Sequence, residues 1–143
     1  MTAMVRPLLL VEDDDSHADL ILLTLQDTGV ATQVDRVVDG EQALAYLRGE
    51  GANPAAVRPA GILLDLNLPK MSGHDVLREI KTDAELRTIP TIVLTTSSNE
   101  GDRTRAYENH ANSFLTKPII FEEFHQMIRD LGRYWAVWNQ APP

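Results

Sequence analysis

The chain has 143 residues, a length typical of one domain and sufficient to bury a full hydrophobic core. Its 13 basic and 21 acidic residues give a formal net charge of −8, which argues against non-specific binding to nucleic acid or to an anionic membrane surface. The absence of cysteine excludes a disulfide framework and a thiolate metal site. The N-terminal segment has too few consecutive apolar residues for a signal peptide or a membrane span. We therefore expect a single cytoplasmic domain over residues 1–143.

Short apolar runs alternate with amphipathic stretches along the whole chain. The runs predict strands at 8–11, 33–37, 61–64, 91–95 and 111–116. Continuous apolar runs of this length are typical of strands buried on both faces of a parallel sheet. Helical periodicity separates them, with Asp15 or Ser16 as the expected cap of the first helix and Ser72 as that of the third. The alternation predicts an α/β fold, a doubly wound five-stranded parallel sheet flanked by five helices.

The last predicted helix is longer than the sheet requires. Apolar residues recur at steps of three and four from Phe121 onwards, which predicts an amphipathic helix over about 121–139. At 1.5 Å per residue it would be about 28 Å long and would extend past strands of roughly 17–20 Å. Exposed aromatic side chains there would need cover. We expect a homodimer with Tyr134, Trp135 and Trp138 as its contact candidates.

The segment 49–59 contains two prolines and is longer than most connections in a compact α/β domain. It is predicted to be a loop between the second helix and the third strand, and its function is left open. His17 and His74 stand near predicted helix starts and are both expected to be solvent-exposed.

Polar residues follow four of the predicted strands. Glu12 and Asp13 follow the first strand, Asp65 the third, Thr95 ends the fourth, and Lys117 follows the fifth. The carboxyl ends of parallel strands share one edge of the sheet, where ligands bind in such folds. Converging carboxylates repel each other unless a cation neutralises them, and an all-oxygen set of ligands favours Mg²⁺. Asp65 is then the candidate nucleophile for a covalent aspartyl phosphate, with Lys117 and Thr95 placed to bind phosphoryl oxygens.

These residues, with the segment 65–73 and the Lys117-Pro118 pair, closely resemble the receiver domain of two-component response regulators. Thirty residues separate Asp65 from Thr95 and 52 separate Asp65 from Lys117, as in that family. The likeness covers about residues 5–130. The aromatic-rich last helix and the long central loop also resemble the stand-alone response regulators that partner bacterial and cyanobacterial phytochromes.

The resemblance implies a flavodoxin-like sheet with strand order 2-1-3-4-5 and a role for each matching residue. Asp65 would accept a phosphoryl group from a sensor histidine kinase, with a bacteriophytochrome as the candidate, and the protein would be a phosphoacceptor rather than an enzyme with a separate substrate. The carboxylates of Glu12, Asp13 and Asp65 and the backbone carbonyl of Asn67 would hold Mg²⁺.

The resemblance also implies how the phosphorylated state is read. Thr95 and Phe114 would form the switch pair, and Lys117 would pair with Asp65 before phosphorylation and with phosphate afterwards. The bond between Lys117 and Pro118 would be cis. Few residues follow the last helix, so the signal is expected to leave through contact with another protein. Glu12 departs from the family, in which many members have a second aspartate.

Two other functions fit parts of the pattern. A phosphohydrolase of the haloacid dehalogenase type also uses a nucleophilic aspartate and Mg²⁺, but its motif has a second aspartate where this chain has Asn67. A flavodoxin-like cofactor binder would need a phosphate-binding loop after the first strand, where the acidic run 12–15 would repel an anionic cofactor.

Overall fold

Five strands and five α-helices alternate along the chain in a computed structural model that describes residues 6–28, 33–49 and 58–142. The strands are β1 Leu8–Val11, β2 Val34–Val37, β3 Gly61–Leu64, β4 Thr91–Thr95 and β5 Ser113–Thr116. The helices are α1 Asp15–Asp27, α2 Gly40–Arg48, α3 Gly73–Thr82, α4 Glu100–Glu108 and α5 Phe121–Arg133. None of the helices in these ranges combines the length and the apolar surface that a bilayer span requires.

The sheet is parallel throughout and has the order β2-β1-β3-β4-β5, which confirms the predicted fold. Side chains of a strand alternate between its two faces, so each central strand contributes to two cores. Leu9 and Val11 pack with residues of α2, α3 and α4, whereas Leu8 and Leu10 pack with residues of α1 and α5. The apolar runs are therefore explained by burial on both faces of the sheet.

Side-chain caps place the starts of the helices that follow β1 and β3. Ser72 accepts a hydrogen bond from the backbone N–H of Asp75 at 3.2 Å, so it caps α3 as predicted. Asp14, rather than Asp15 or Ser16, caps α1 by accepting from the backbone N–H of His17 at 2.9 Å. The run of acidic residues offers several possible caps, and the extended backbone of Asp14 selects this one.

The C-terminal helix changes its hydrogen bonding after α5. A π-helical turn, Tyr134–Trp138, follows directly, and the backbone N–H of Asn139 donates to the carbonyl of Tyr134 at 2.8 Å. The half-buried indole of Trp135 packs against β3 and against the core on the α1 and α5 side of the sheet, and a Cβ added at Gly61 would lie 2.9 Å from its ring. The missing side chain of Gly61 leaves room for the ring of Trp135 on its own domain, and the role of Trp135 as a dimer contact stays a prediction.

Of the other two aromatic residues proposed as dimer contacts, Tyr134 has a described side chain and Trp138 does not. Tyr134 is 51% exposed and available for contact with another molecule. The side chain of Trp138 lies outside what the structure describes. Most of the loop predicted at 49–59 also lies outside the described residues. Gly49 is the C-cap of α2 and has φ 71°, the left-handed region that glycine adopts without strain.

Candidate functional site

The predicted site residues meet where β1, β3, β4 and β5 end. Backbone hydrogen bonds continue past the last strand residues and hold the strand ends together. The N–H of Asp65 donates to the carbonyl of Val11 at 3.1 Å, and the N–H of Lys117 donates to the carbonyl of Thr95 at 2.7 Å. The fold therefore brings Glu12, Asp65, Thr95 and Lys117 to one edge of the sheet, as the sequence predicts.

Lys117 lies at the centre of this edge and is only 4% exposed. Its Nζ lies 2.5 Å from Oε1 of Glu12, 3.0 Å from Oδ2 of Asp65 and 3.0 Å from Nδ1 of His17. An ammonium group has three N–H donors, so each has one partner here. Lys117 thus joins residues that are 105 and 52 positions away in the sequence.

The buried charges of this edge do not cancel. Glu12 is 1% exposed and Asp65 6% exposed, and both face the single ammonium of Lys117. Burial raises the pKa of Glu12 to about 7, and the nearby Asp65 carboxylate adds to the rise, whereas the hydrogen bond from Lys117 opposes it. A second cation would relieve this excess of negative charge.

Three carboxylates form a set that fits a divalent cation. Glu12, Asp13 and Asp65 each place one carboxylate oxygen within 4.8 Å of the others. Asp13 is exposed whereas the other two are buried, so the group opens to solvent on the side of Asp13. Oxygen donors alone suit a hard ion such as Mg²⁺, Ca²⁺ or Mn²⁺. The donor set therefore agrees with binding of a divalent metal.

The turn after β3 controls where Asp65 lies. The N–H of Gly73 donates to the carbonyl of Leu66 at 2.9 Å, which closes the segment between them. A Cβ at Gly73 would collide with the backbone carbonyl oxygen of Asp65 and would lie 2.5 Å from the Cα of Leu66. Only glycine allows this approach. The backbone N–H of the exposed Asn67 donates to Oδ1 of Asp65 at 3.2 Å. The role of the Asn67 backbone carbonyl as a metal ligand stays a prediction.

Thr95 and Phe114 lie on neighbouring strands. Thr95 is fully buried, and its hydroxyl oxygen accepts from the backbone N–H of Ser97 at 3.3 Å. Phe114 is opposite Val93 in the register of β4 and β5 and packs half-buried against the core shared with α2, α3 and α4. Because Val93 and Thr95 are two residues apart, Thr95 shares a face of the sheet with Phe114. Their role as a switch pair stays a prediction.

The predicted cis bond between Lys117 and Pro118 is wrong. The described part of the chain contains no cis peptide bond. A bond before proline still prefers the trans form by about 0.5–1 kcal/mol, and the side chain of Lys117 reaches both buried carboxylates from a trans backbone.

Two histidines that were expected to be exposed have specific partners instead. His17 contacts Lys117, and its ring meets Phe124 edge to face at 5.6 Å. His74 is 5% exposed and its Nε2 lies 3.0 Å from Oδ1 of Asp102. Each lies in the first turn of a helix that begins at the site edge of the sheet, and this position near a helix start is the sequence signal that favours contact with the site over exposure.

Known proteins are similar to this chain in sequence and in fold. Residues 8–129 match the family model of the response regulator receiver domain. Response regulator Rcp1 of a Synechocystis species is 39% identical over 128 residues, which are 90% of this chain and 87% of that protein. A probable methanogenesis regulatory protein of Methanothrix harundinacea, FilR2, is 44% identical over 136 residues, which are 94% of this chain and 86% of that protein.

Solved structures agree closely with the fold. The Mn²⁺-bound form of Rcp1 superposes with a TM-score of 0.92 at 37% identity, covering 96% of this chain and 99% of that chain. The phosphorylated cyanobacterial phytochrome response regulator RcpA superposes with a TM-score of 0.93 at 40% identity, covering 98% and 100% of the two chains.

Proposed function

Because the chain belongs to the response regulator receiver family, whose members are phosphoacceptors in two-component signalling, we propose that Asp65 is the residue that accepts the phosphoryl group. The observation that carries this assignment is the contact of 3.0 Å between the buried Asp65 carboxylate and Nζ of Lys117, inside a set of three carboxylates. A carboxylate held next to a cation, with space for a metal, has the parts that phosphoryl transfer requires.

The proposed reaction forms one bond and breaks one. A carboxylate oxygen of Asp65 attacks phosphorus, and the bond between phosphorus and the imidazole nitrogen of the kinase's phosphohistidine breaks. Lys117 holds Oδ2 of Asp65 before the reaction and is placed to bind a phosphoryl oxygen after it. The buried hydroxyl of Thr95, at the end of the neighbouring strand β4, would also donate to the new phosphoryl group.

We propose Mg²⁺ as the metal, held by Glu12, Asp13, Asp65 and the backbone carbonyl of Asn67. Support comes from the all-oxygen donor set and from the excess negative charge around Lys117. A bound divalent cation supplies neutralisation of charge on the phosphoryl oxygens during transfer. The relative Rcp1 has been solved in a form that binds Mn²⁺, an ion with similar ligand preferences.

The proposed output follows from the same residues. Thr95 and Phe114 would change position together when the phosphoryl group arrives, which shifts a two-state equilibrium of the α4 and β5 surface. The proposed donor is a sensor histidine kinase, and a phytochrome is the candidate because the relative RcpA is a cyanobacterial phytochrome response regulator. Homodimerisation through the region of Tyr134 and a cytoplasmic location stay predictions.

Asn67 argues against the phosphohydrolase alternative. The haloacid dehalogenase motif has a second aspartate two residues after the nucleophile, whereas the side chain at this position is a neutral amide. An amide cannot donate a proton to a leaving group as a carboxylic acid does. A repeated turnover on a separate phosphate ester therefore has no support at this site.

Intact-mass spectrometry after incubation with acetyl phosphate and Mg²⁺ tests the proposed function. We expect the wild type to gain about 80 Da, the mass of one phosphoryl unit, and to gain nothing when EDTA removes the metal. Asp65→Asn should gain nothing, whereas Asp27→Asn, which changes an exposed aspartate on α1, should behave as the wild type. A gain that persists in Asp65→Asn would overturn the assignment.

A further inference from the structure

His17 contacts the centre of the site without being a metal ligand or a phosphoryl acceptor. Its Nδ1 lies 3.0 Å from Nζ of Lys117, and the imidazole can accept this hydrogen bond only when Nδ1 carries no proton. The proposed phosphoryl transfer uses Lys117 but assigns nothing to His17. Lys117 therefore has a third hydrogen-bond partner, His17, with no role in the proposed transfer.

His17 is held at its backbone and at its ring. Its backbone N–H donates to the capping carboxylate of Asp14 at 2.9 Å, which places the residue in the first turn of α1. The imidazole meets the ring of Phe124 on α5 edge to face, with centroids 5.6 Å apart and planes at 72°. Phe124 is itself 5% exposed and part of the core. The imidazole is therefore packed between α1 and α5, with Nδ1 on the side of Lys117.

The other two partners of Lys117 change during the proposed reaction. Glu12 would share its carboxylate with the metal, and Asp65 would become an acyl phosphate and lose its carboxylate charge. His17 undergoes neither change, so its hydrogen bond is the one that can persist from the unphosphorylated to the phosphorylated state. A persistent acceptor keeps Nζ in place and leaves the other two N–H donors directed at the site.

A cleft next to Lys117 makes such an acceptor useful. The cleft has a volume of about 420 Å³ and lies between α1 and the start of α5, with His17, Lys117, Pro118 and Phe124 among its lining residues. Without an acceptor at His17, the ammonium could rotate toward water in this cleft, because water would replace the lost partner.

From these contacts we propose that His17 is a positioning residue that holds the Lys117 ammonium toward Asp65 and its phosphoryl group. The proposal rests on the proposed function of Asp65 and deepens it. The hydrogen-bond acceptor at Nδ1 of His17, rather than the bulk of its ring, sets the rate at which Asp65 gains and loses phosphate.

Two substitutions separate the acceptor from the ring. His17→Phe keeps an aromatic ring against Phe124 but removes the acceptor, whereas His17→Asn places an amide oxygen at the δ position and removes the ring. Asp19→Asn, on the exposed side of the same helix, is the control. The rates of phosphate gain from acetyl phosphate at saturating Mg²⁺, and of phosphate loss after its removal, are measured by intact mass, with thermal unfolding of each variant.

We expect His17→Phe to gain phosphate about tenfold more slowly, the effect of losing one hydrogen bond to a charged group. His17→Asn should recover to within about threefold of the wild type, although it has lost the ring contact. If His17→Phe reacts at the wild-type rate, or if both variants are slowed equally, the positioning role is wrong. If the wild type gains no phosphate on Asp65 at all, the proposed function fails first and the role of His17 falls with it.

Discussion

Nε2 of His74 lies 3.0 Å from Oδ1 of Asp102, so the first turn of α3 is joined to the first turn of α4. The other carboxylate oxygen of Asp102 accepts from the hydroxyl of Ser97 at 2.6 Å, which extends the connection into the segment between β4 and α4. Nδ1 of His74 is buried and has no hydrogen-bond partner within the described part of the chain. The link between α3 and α4 therefore depends on Nε2 of the buried His74 imidazole.

Asp102→Ala should destabilise the protein by about 1–3 kcal/mol, because it leaves both ring nitrogens of His74 without partners in a buried place. Adding His74→Leu should return part of this loss, since a leucine has no polar atom to satisfy. Urea unfolding of the two single variants and the double variant measures the coupling. Additive free energies would show that the contact between His74 and Asp102 contributes nothing.

The same carboxylate predicts a dependence of stability on pH. The hydrogen bond from Ser97, and after it the one with His74, lowers the pKa of Asp102 below its ordinary value of 3.8. A lowered pKa in the folded state means that the contribution of Asp102 is complete above pH 3.8 and is lost as pH falls through the folded pKa. The difference in unfolding free energy between the wild type and Asp102→Asn should therefore shrink in acid. A difference that is constant from about pH 6 to about pH 3 would contradict the shift.

Lys117→Met should lower the unfolding free energy in the absence of metal, by up to about 3–5 kcal/mol, because Glu12 and Asp65 are left buried without their cation. Mg²⁺ should stabilise this variant more than the wild type, since it then takes over the neutralisation that Lys117 provides in the wild type. Urea unfolding with and without Mg²⁺ measures both effects. Lys81→Met, which removes a half-buried lysine bonded to backbone carbonyls away from the site, should change stability but not the response to Mg²⁺.

Gly73→Ala should reduce both stability and phosphorylation of Asp65. The new methyl group would collide with the backbone of Asp65 and Leu66, so the turn that carries the phosphoacceptor has to move, at a cost of about 1–3 kcal/mol. Ser72→Ala is the matched control, because it removes the cap of α3 at about 1 kcal/mol without adding an atom near Asp65. If both variants accept phosphate equally well, the close approach at Gly73 does not position Asp65.

Substitutions at Trp135 and Tyr134 should separate an effect on stability from an effect on self-association. Trp135→Ala removes a ring that packs on Gly61 and should lower the unfolding free energy by about 2–4 kcal/mol, somewhat less than for a fully buried tryptophan. Tyr134→Ala removes a ring that is 51% exposed and should leave stability nearly unchanged while weakening any homodimer. Sedimentation at micromolar concentration measures association. Equal effects on stability would contradict the packing described for Trp135.

The sequence determined the architecture of this protein and which polar residues meet at one edge of its sheet. Apolar runs of four or five residues separated by helical patterns are sufficient to predict a parallel sheet, and the shared edge of such a sheet brings Glu12, Asp65, Thr95 and Lys117 together. These predictions depend on local periodicity and on topology, which are both readable along the chain.

Tertiary structure alone decided the partners of His17, His74 and Trp135. A histidine at a helix start has the same local pattern whether it faces water or a neighbouring helix, and only the packing of α1 on α5 and of α3 on α4 places a charged partner within reach. The indole of Trp135 likewise lies on its own domain because Gly61, 74 positions earlier in the sequence, leaves space for it. Contacts between side chains distant in the sequence have no local signal, since they follow from how the helices pack on the finished sheet.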